Sequence, residues 1–249
     1  MEYDLVGEMA VDADAYYGIH ALRAAENFPI THTRLPGDMI VSMAWIKKAC
    51  ARANRVTGAL SSRVAEAIER ACDELIDGKL HDQFIVDPIQ GGAGTSTNMN
   101  ANEGIANRAI ELLGGVKGDY TLVHPNDHVN CGQSTNDIYP TCVKMTLYRA
   151  SEGLQREMEA LVSVLEKRAA DFDGVIKMGR TQLEDAVPMT LGQTFNGFAS
   201  ILQDEVKNLD FAAQDFLTVN MGATAIGTGI TAEPEYASKC IAALRKITG

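Results

Sequence analysis

Three segments of the sequence combine glycine, small hydroxyl residues and amides, and each is predicted to stand just before a helix. They cover residues 94–98 (Gly-Thr-Ser-Thr-Asn), 133–137 (Gln-Ser-Thr-Asn-Asp) and 179–182 (Gly-Arg-Thr-Gln). The N-terminus of a helix exposes free N–H groups at the positive end of the helix dipole, and it therefore attracts anions. Together the three segments could bind two carboxylates and an amine, although each one alone could equally be an ordinary helix cap.

Two other patterns could indicate a cofactor. The glycine-rich residues 91–94 lack both the Lys-Ser/Thr ending of a phosphate-binding loop and the spacing of a dinucleotide fingerprint. His124 and His128 flank Asp127, so a metal site is conceivable, but Pro125 disfavours a helix there and no third ligand stands at a familiar spacing. We therefore expect a structural or anion-binding role here, and neither a metal nor another cofactor. The other histidines are interpreted as ordinary loop residues: His20, His32 and His81.

Helices must position these segments, because straight-chain residues are frequent and aromatic residues make up only 6% of the chain. Apolar residues at three- and four-residue steps predict helices over about 39–53, 64–76 and 98–112. Asp38 is the expected N-cap of the first helix, and Ser61 or Ser62 that of the second. Residues 1–37 are predicted to be irregular.

Two long helices and a short one are predicted in the second half of the chain, over about 136–174, 188–216 and 234–246. Pro140 falls near the start of the first long helix, where its missing N–H matters least, and Pro188 is expected to open the second. The predicted fold is mainly α: a small mixed helical domain (1–136), then the start of a long antiparallel helix bundle (137–249). Two long helices cannot close a bundle, so another chain or further sequence is expected to complete it.

Composition excludes several classes of partner. The net charge of −11 disfavours binding to nucleic acids and to anionic membranes. The five cysteines are irregularly spaced and are expected to be free thiols in a reducing compartment. Neither a signal peptide nor an apolar run of about 20 residues is present, so we expect a soluble cytoplasmic protein with no membrane partner.

Four segments of the chain resemble, in order, signature regions of the aspartase/fumarase superfamily. They span residues 91–103, 124–137, 179–193 and 222–229, and residues 15–18 also match the N-terminal region of that family. Fumarases usually carry His where this chain has Gln182, a variant that aspartases accept. The Val-Pro-Met that begins at Val187 also looks more like the aspartases.

This resemblance implies a fumarase/aspartase-like fold and an ammonia-lyase that converts L-aspartate to fumarate reversibly through an aci-carboxylate intermediate. The substrate-binding residues that it implies are Thr95, Ser134, Thr135, Asn136, Thr181 and Gln182. A possible second anion site would comprise His124, Asn126 and Asp127. The family also implies a homotetramer in which each active site is shared between subunits.

The family's base is a serine in a Gly-Ser-Ser-x-Met-Pro loop, and this sequence contains no such loop. The chain resembles only the N-terminal part of the family, so the base is expected beyond Gly249 and the fragment alone is expected to be inactive. Three alternatives stay open: a fumarate hydratase, a truncated non-catalytic scaffold relative, and, with weak support, a nucleotide- or metal-binding module.

Overall fold

A computed structural model describes all 249 residues and confirms the mainly α fold. The helices are α1 (Ile19–Asn27), α2 (Gly37–Thr57), α3 (Ser62–Ile76), α4 (Thr95–Leu112), α5 (Thr135–Asp171), α6 (Leu191–Ala213) and α7 (Tyr236–Thr248). The strands are β1 (Glu2–Asp4), β2 (Gly7–Met9), β3 (Ile176–Thr181) and β4 (Glu184–Thr190), and they form two antiparallel hairpins. No helix has the length and apolarity needed to cross a bilayer.

The chain divides into two compact units. The first contains residues 1–146 together with 219–249, and the second contains residues 147–218. The predicted division of the protein into domains at residue 136 therefore differs from the division into compact units, because α7 packs against α2 and returns the end of the chain to the first unit. As a statement about the complete protein, the boundary at residue 136 stays a prediction.

Helix α2 lies at the centre of the first unit, packed against α3 and α7. Its buried residues Met43, Ile46 and Cys50 follow the three- and four-residue spacing that predicted the helix. The helix begins earlier than expected, with Pro36 rather than Asp38 at the N-cap. Proline suits this position because it has no N–H to leave unpaired.

The predicted helices that follow α2 are confirmed. Helix α3 is capped by Ser61, whose hydroxyl accepts a hydrogen bond from the N–H of Val64 at 3.3 Å. Helix α4 starts three residues before the predicted position, at Thr95. Helix α7 also lies where it was predicted, and all five cysteines of the chain are free thiols.

The prediction of an irregular segment over residues 1–37 is wrong, because this segment contains the β1–β2 hairpin and α1. The start of α1 is held by the buried carboxylate of Glu103, which accepts hydrogen bonds from the N–H groups of Gly18, His20 and Ala21. His20 therefore belongs to a helix and not to a loop. Its hydrogen bond to Glu103, 2.8 Å long, raises the pKa of the imidazole.

The second unit contains the C-terminal part of α5, the β3–β4 hairpin and α6. Phe172 packs on Phe195, and Gln203 donates to Glu166 at 2.7 Å, so the two helices are antiparallel, as predicted. Pro188 does not open α6 as expected but lies in β4. The helix begins after Thr190. Thr190 forms a reciprocal capping box with Gln193, and this box sets the start of the helix in place of Pro188.

Candidate functional site

The N-termini of α4 and α5 converge in the first unit. The side-chain amide of Asn98 donates a hydrogen bond to the hydroxyl of Thr135 at 3.1 Å. Gly94 permits this approach, because it has a φ of +92° and a Cβ at this position would overlap the ring of Tyr139. The first two of the three polar segments are thus adjacent, with the positive ends of two helices beside each other.

Thr95, the first residue of α4, is exposed, and its hydroxyl donates to the carbonyl of Gly92 at 2.6 Å. Gln90 braces the same turn with its side-chain amide. The amide oxygen accepts from the N–H of Thr97 at 2.8 Å, and the amide nitrogen donates to the Thr97 hydroxyl at 2.9 Å. Gln90 and the exposed Thr95 therefore both stabilise this turn.

Ser134 acts as the cap of α5. Its hydroxyl accepts from the N–H of Asn136 at 3.1 Å, and its own N–H donates to Asp137 at 2.9 Å. In this structure the Ser134 hydroxyl is therefore a helix cap. Thr135 is half-buried, while Asn136 is exposed and donates to the carbonyl of Ala225 at 3.0 Å.

The glycine- and threonine-rich segment 220–229 closes over the start of α5. The fully buried carboxylate of Asp137 accepts from the N–H groups of Gly222 and Thr224 at 3.1 and 3.2 Å. Asn220 adds a bond to the carbonyl of Asn136 at 2.7 Å. Sequence reasoning assigned no role to Asp137, although its place three residues after Ser134 is the signature of a reciprocal cap.

Lys47, from the middle of α2, lies fully buried behind this region. Its ammonium donates to the side-chain oxygens of Asn130 and Gln133 at 3.0 and 2.8 Å. Burial lowers the pKa of Lys47 to about 8, although the nearby thiol of Cys50 and the carboxylate of Asp137 act in the opposite direction. Sequence reasoning missed this residue.

A signal for Lys47 did exist in the helical pattern. It stands four residues after Met43 and three before Cys50, and both of those residues are buried on the core face of α2. This spacing would have placed the lysine on the buried face of the helix, and a buried ammonium requires hydrogen-bond partners.

The third polar segment forms the tip of the β3–β4 hairpin in the second unit, and the expectation that it stands just before a helix is wrong. Thr181 ends β3, and Gln182 and Leu183 form the turn with φ values of +48° and +71°. All three side chains are exposed. Positive φ values at two residues without a special tolerance for them mark a strained turn, a feature that is common at functional sites.

His124 stands before a single turn of π-helix over Pro125–Val129, so the expectation that Pro125 disfavours a helix is wrong. Proline at the first position of a turn has no N–H to satisfy, which makes it compatible with a helical start. The Nδ1 atom of His124 accepts from the N–H groups of Asn126 and Asp127, both at 3.2 Å. The Asp127 carboxylate lies 3.5 Å from the same nitrogen.

The imidazole of His128 accepts from the N–H of His124 at 2.8 Å, and burial lowers its pKa. The side chains of Asn126 and Asp127 are exposed. No group of three or more His, Cys, Asp or Glu side chains is placed to hold a metal ion.

The convergent region offers hydroxyls, amides, two helix N-termini and one buried ammonium. These groups bind carboxylates through hydrogen bonds, and they can stabilise additional negative charge that develops on a carboxylate during a reaction. The one carboxylate there, that of Asp137, is buried and accepts from three backbone N–H groups, so the outward-facing groups of the region are suited to binding an anion.

Comparisons with known proteins identify the family of this chain. The family model described as lyase matches residues 7–249. The aspartate ammonia-lyases of Bacillus subtilis and Escherichia coli K12 are 50% and 48% identical over the whole chain, which covers 52% and 53% of their lengths. The chain therefore spans about half the length of these relatives.

Solved structures give the same result. A fumarate lyase:delta crystallin from Brucella melitensis aligns over 99% of this chain and 54% of its own, with a TM-score of 0.96 and 48% identity. A class II fumarase from Schistosoma mansoni aligns over 99% of this chain and 52% of its own, with a TM-score of 0.93 and 35% identity. The resemblance to the aspartase/fumarase superfamily is confirmed.

Proposed function

The chain belongs to the lyase family, and on this premise we propose that the complete protein eliminates ammonia from L-aspartate to give fumarate, reversibly. The observation that carries the proposal is the hydrogen bond between Asn98 and Thr135, which joins two donor-rich helix starts. The relatives named aspartate ammonia-lyase, at about 50% identity, favour ammonia over water as the leaving group. Gln182 supports the same choice.

In the proposed reaction, Thr95, Ser134, Thr135 and Asn136 bind the carboxylates and the amine of aspartate. Thr181 and Gln182 are proposed as further substrate-binding residues, in a site shared between subunits. Removal of a proton from the carbon beside the β-carboxylate generates a doubly charged aci-carboxylate. Its collapse then expels ammonia and forms the double bond of fumarate. The helix N-termini and hydroxyls lower the barrier because they meet the developing charge with preorganised donors.

We assign the base to a serine of a loop that residues 1–249 do not contain, so this fragment alone would be inactive. The proposed assembly is a cytoplasmic homotetramer with sites shared between subunits. Exposed apolar residues on the long helices support an uncovered bundle face: Leu154, Leu161, Phe198 and Ile201. His124, Asn126 and Asp127 are proposed as a second anion site.

The test is the rise in ultraviolet absorbance of fumarate when L-aspartate is added to the complete protein. Thr135→Val or Asn136→Ala is expected to lower kcat/KM roughly 100- to 1000-fold, as the loss of a donor to a developing oxyanion does. Thr146→Val is the matched control, since this threonine lies on the same helix and its hydroxyl donates to the carbonyl of Cys142.

Two results would redirect the proposal. Consumption of fumarate without ammonia, and no reaction with aspartate, would identify a fumarate hydratase. No reaction in either direction from a folded complete protein would favour a non-catalytic scaffold.

A further inference from the structure

We propose that Lys47 is a positioning residue for the substrate site, acting through Asn130 and Asn98 to hold Thr135 as a hydrogen-bond donor. This inference rests on the proposed function, because it concerns how Thr135 meets a substrate carboxylate. It adds a residue that is distant in sequence from the three polar segments, on a helix that sequence reasoning treated only as core.

The first step concerns the hydrogen bonds between Lys47 and the turn before α5. Its ammonium donates to Asn130 and to Gln133, one near each end of the turn. The Gln133 side chain in turn donates to the carbonyls of Val129 and Cys131 at 2.9 and 3.2 Å. The turn that leads into Ser134 is therefore fastened to α2 by charge-assisted bonds, which are about twice as strong as neutral ones.

The second step is the direction of the hydrogen bonds. An ammonium can only donate, so Asn130 must present its side-chain oxygen to Lys47. The same oxygen lies 3.2 Å from the side-chain nitrogen of Asn98, which must then donate to it. The other proton of that nitrogen goes to the Thr135 hydroxyl oxygen, 3.1 Å away. Because this oxygen already accepts, the hydroxyl proton of Thr135 is free to be donated to a carboxylate.

The third step concerns the charge that enforces this direction. The titratable groups facing Lys47 are the thiols of Cys50, Cys72 and Cys142 and the carboxylate of Asp137. Burial raises the pKa of Cys142 to about 12 and that of Cys72 further, so both thiols are neutral near pH 7. With its pKa lowered to about 8, Lys47 loses its proton at mildly alkaline pH. A neutral amine can accept as well as donate, so the hydrogen-bond direction is no longer enforced above that pH.

The experiment replaces Lys47 in the complete protein. Lys47→Met removes the donor while keeping most of the volume, and kcat/KM for aspartate is expected to fall roughly 10- to 100-fold, the value of a hydrogen bond to a charged group. The loss should lie mainly in kcat, because Thr135 is proposed to donate to the charge that develops during the reaction. Lys48→Met is the matched control, because Lys48 is the next residue of α2 and pairs with the half-exposed Asp73. It is expected to leave kcat/KM within about twofold, because Lys48 and its half-exposed partner Asp73 stand outside the series of hydrogen bonds that runs from Lys47 to Thr135.

The pH dependence of kcat/KM distinguishes a positioning role of Lys47 from a role in fold stability alone. Wild-type kcat/KM should decline as pH rises through about 8, and Lys47→Met should lack this decline. Gln133→Glu places a carboxylate against the ammonium, which raises the pKa of Lys47 and should move the decline to higher pH. The Gln133→Glu profile also tests the inference if Lys47→Met does not fold.

The inference is overturned if folded Lys47→Met matches wild type, or if the decline is unmoved in Gln133→Glu. Failure of the proposed function would look different, because the wild-type protein itself would then make no fumarate from aspartate. In that case this inference would be wrong as well.

Discussion

The start of α5 and the tip of the β3–β4 hairpin carry similar residue types but are supported in different ways. At the start of α5, the buried carboxylate of Asp137 accepts hydrogen bonds from three backbone N–H groups, and the buried ammonium of Lys47 donates to the preceding turn. At the hairpin tip, Thr181, Gln182 and Leu183 are all exposed. One region is organised by its own compact unit, whereas the other has little within its unit to hold it.

The energetics of the hairpin tip support this distinction. Its ion pair, between Arg180 and Asp185, is about two-thirds exposed on both sides and contributes little. Gln182 and Leu183 occupy the left-handed region, which costs about 1 kcal/mol or more for each such residue. A strained and exposed tip is the kind of element that further contacts in a complete protein would stabilise. Substitutions should therefore affect folding strongly in the first region and weakly in the second.

The largest effect is expected from Gly94→Ala. The new methyl group would overlap the Tyr139 ring and would stand at a positive φ. We expect a loss of about 2–4 kcal/mol from overpacking and backbone strain together, and at least a tenfold lower kcat/KM. Thermal unfolding and the fumarate assay on the complete protein measure the two quantities.

Gly104→Ala is the control for Gly94→Ala. It lies in the same helix with nothing within 4 Å of its added Cβ, and it should stabilise α4 by about 0.5–1 kcal/mol. Equal unfolding temperatures for Gly94→Ala and wild type would contradict the close approach of α4 and α5.

Asp137→Asn should have the next largest effect. The asparagine side chain keeps one acceptor oxygen but lacks the negative charge to which three backbone N–H groups now donate. We expect the free energy of unfolding to fall by about 2 kcal/mol. Hydrogen exchange should increase in residues 220–229, because the segment loses its anchor. Asp171→Asn, at the exposed end of the same helix, should change neither quantity. Unaltered exchange in Asp137→Asn would show that the segment is held by other contacts.

The smallest effect is expected at the hairpin tip. Leu183→Gly removes the strain at a φ of +71° and should raise stability by about 1 kcal/mol or less. Leu183→Ala is the matched variant, since it removes the same exposed side chain but keeps the strain, and it should leave the unfolding temperature unchanged. A large destabilisation by either variant would mean that the tip is as well supported as the start of α5.

Local pattern was sufficient for much of this protein. The three- and four-residue apolar spacing of Met43, Ile46 and Cys50 determined α2, and Ser61 determined the start of α3. The polar segments at residues 94–98 and 133–137 were found because caps and helix starts depend on neighbours within a few positions. Four motifs in register carried the family resemblance over nearly the whole chain.

Tertiary structure decided the rest, because the interactions concerned join residues that are distant in sequence. Helix α1 depends on Glu103, which lies 82–85 positions from the N–H groups that it caps. Lys47 acquires a role only when folding brings it to Gln133, 86 positions away. The burial that lowers the pKa of this lysine, and the partners that fix its direction of donation, come from packed elements. No short window of sequence contains them.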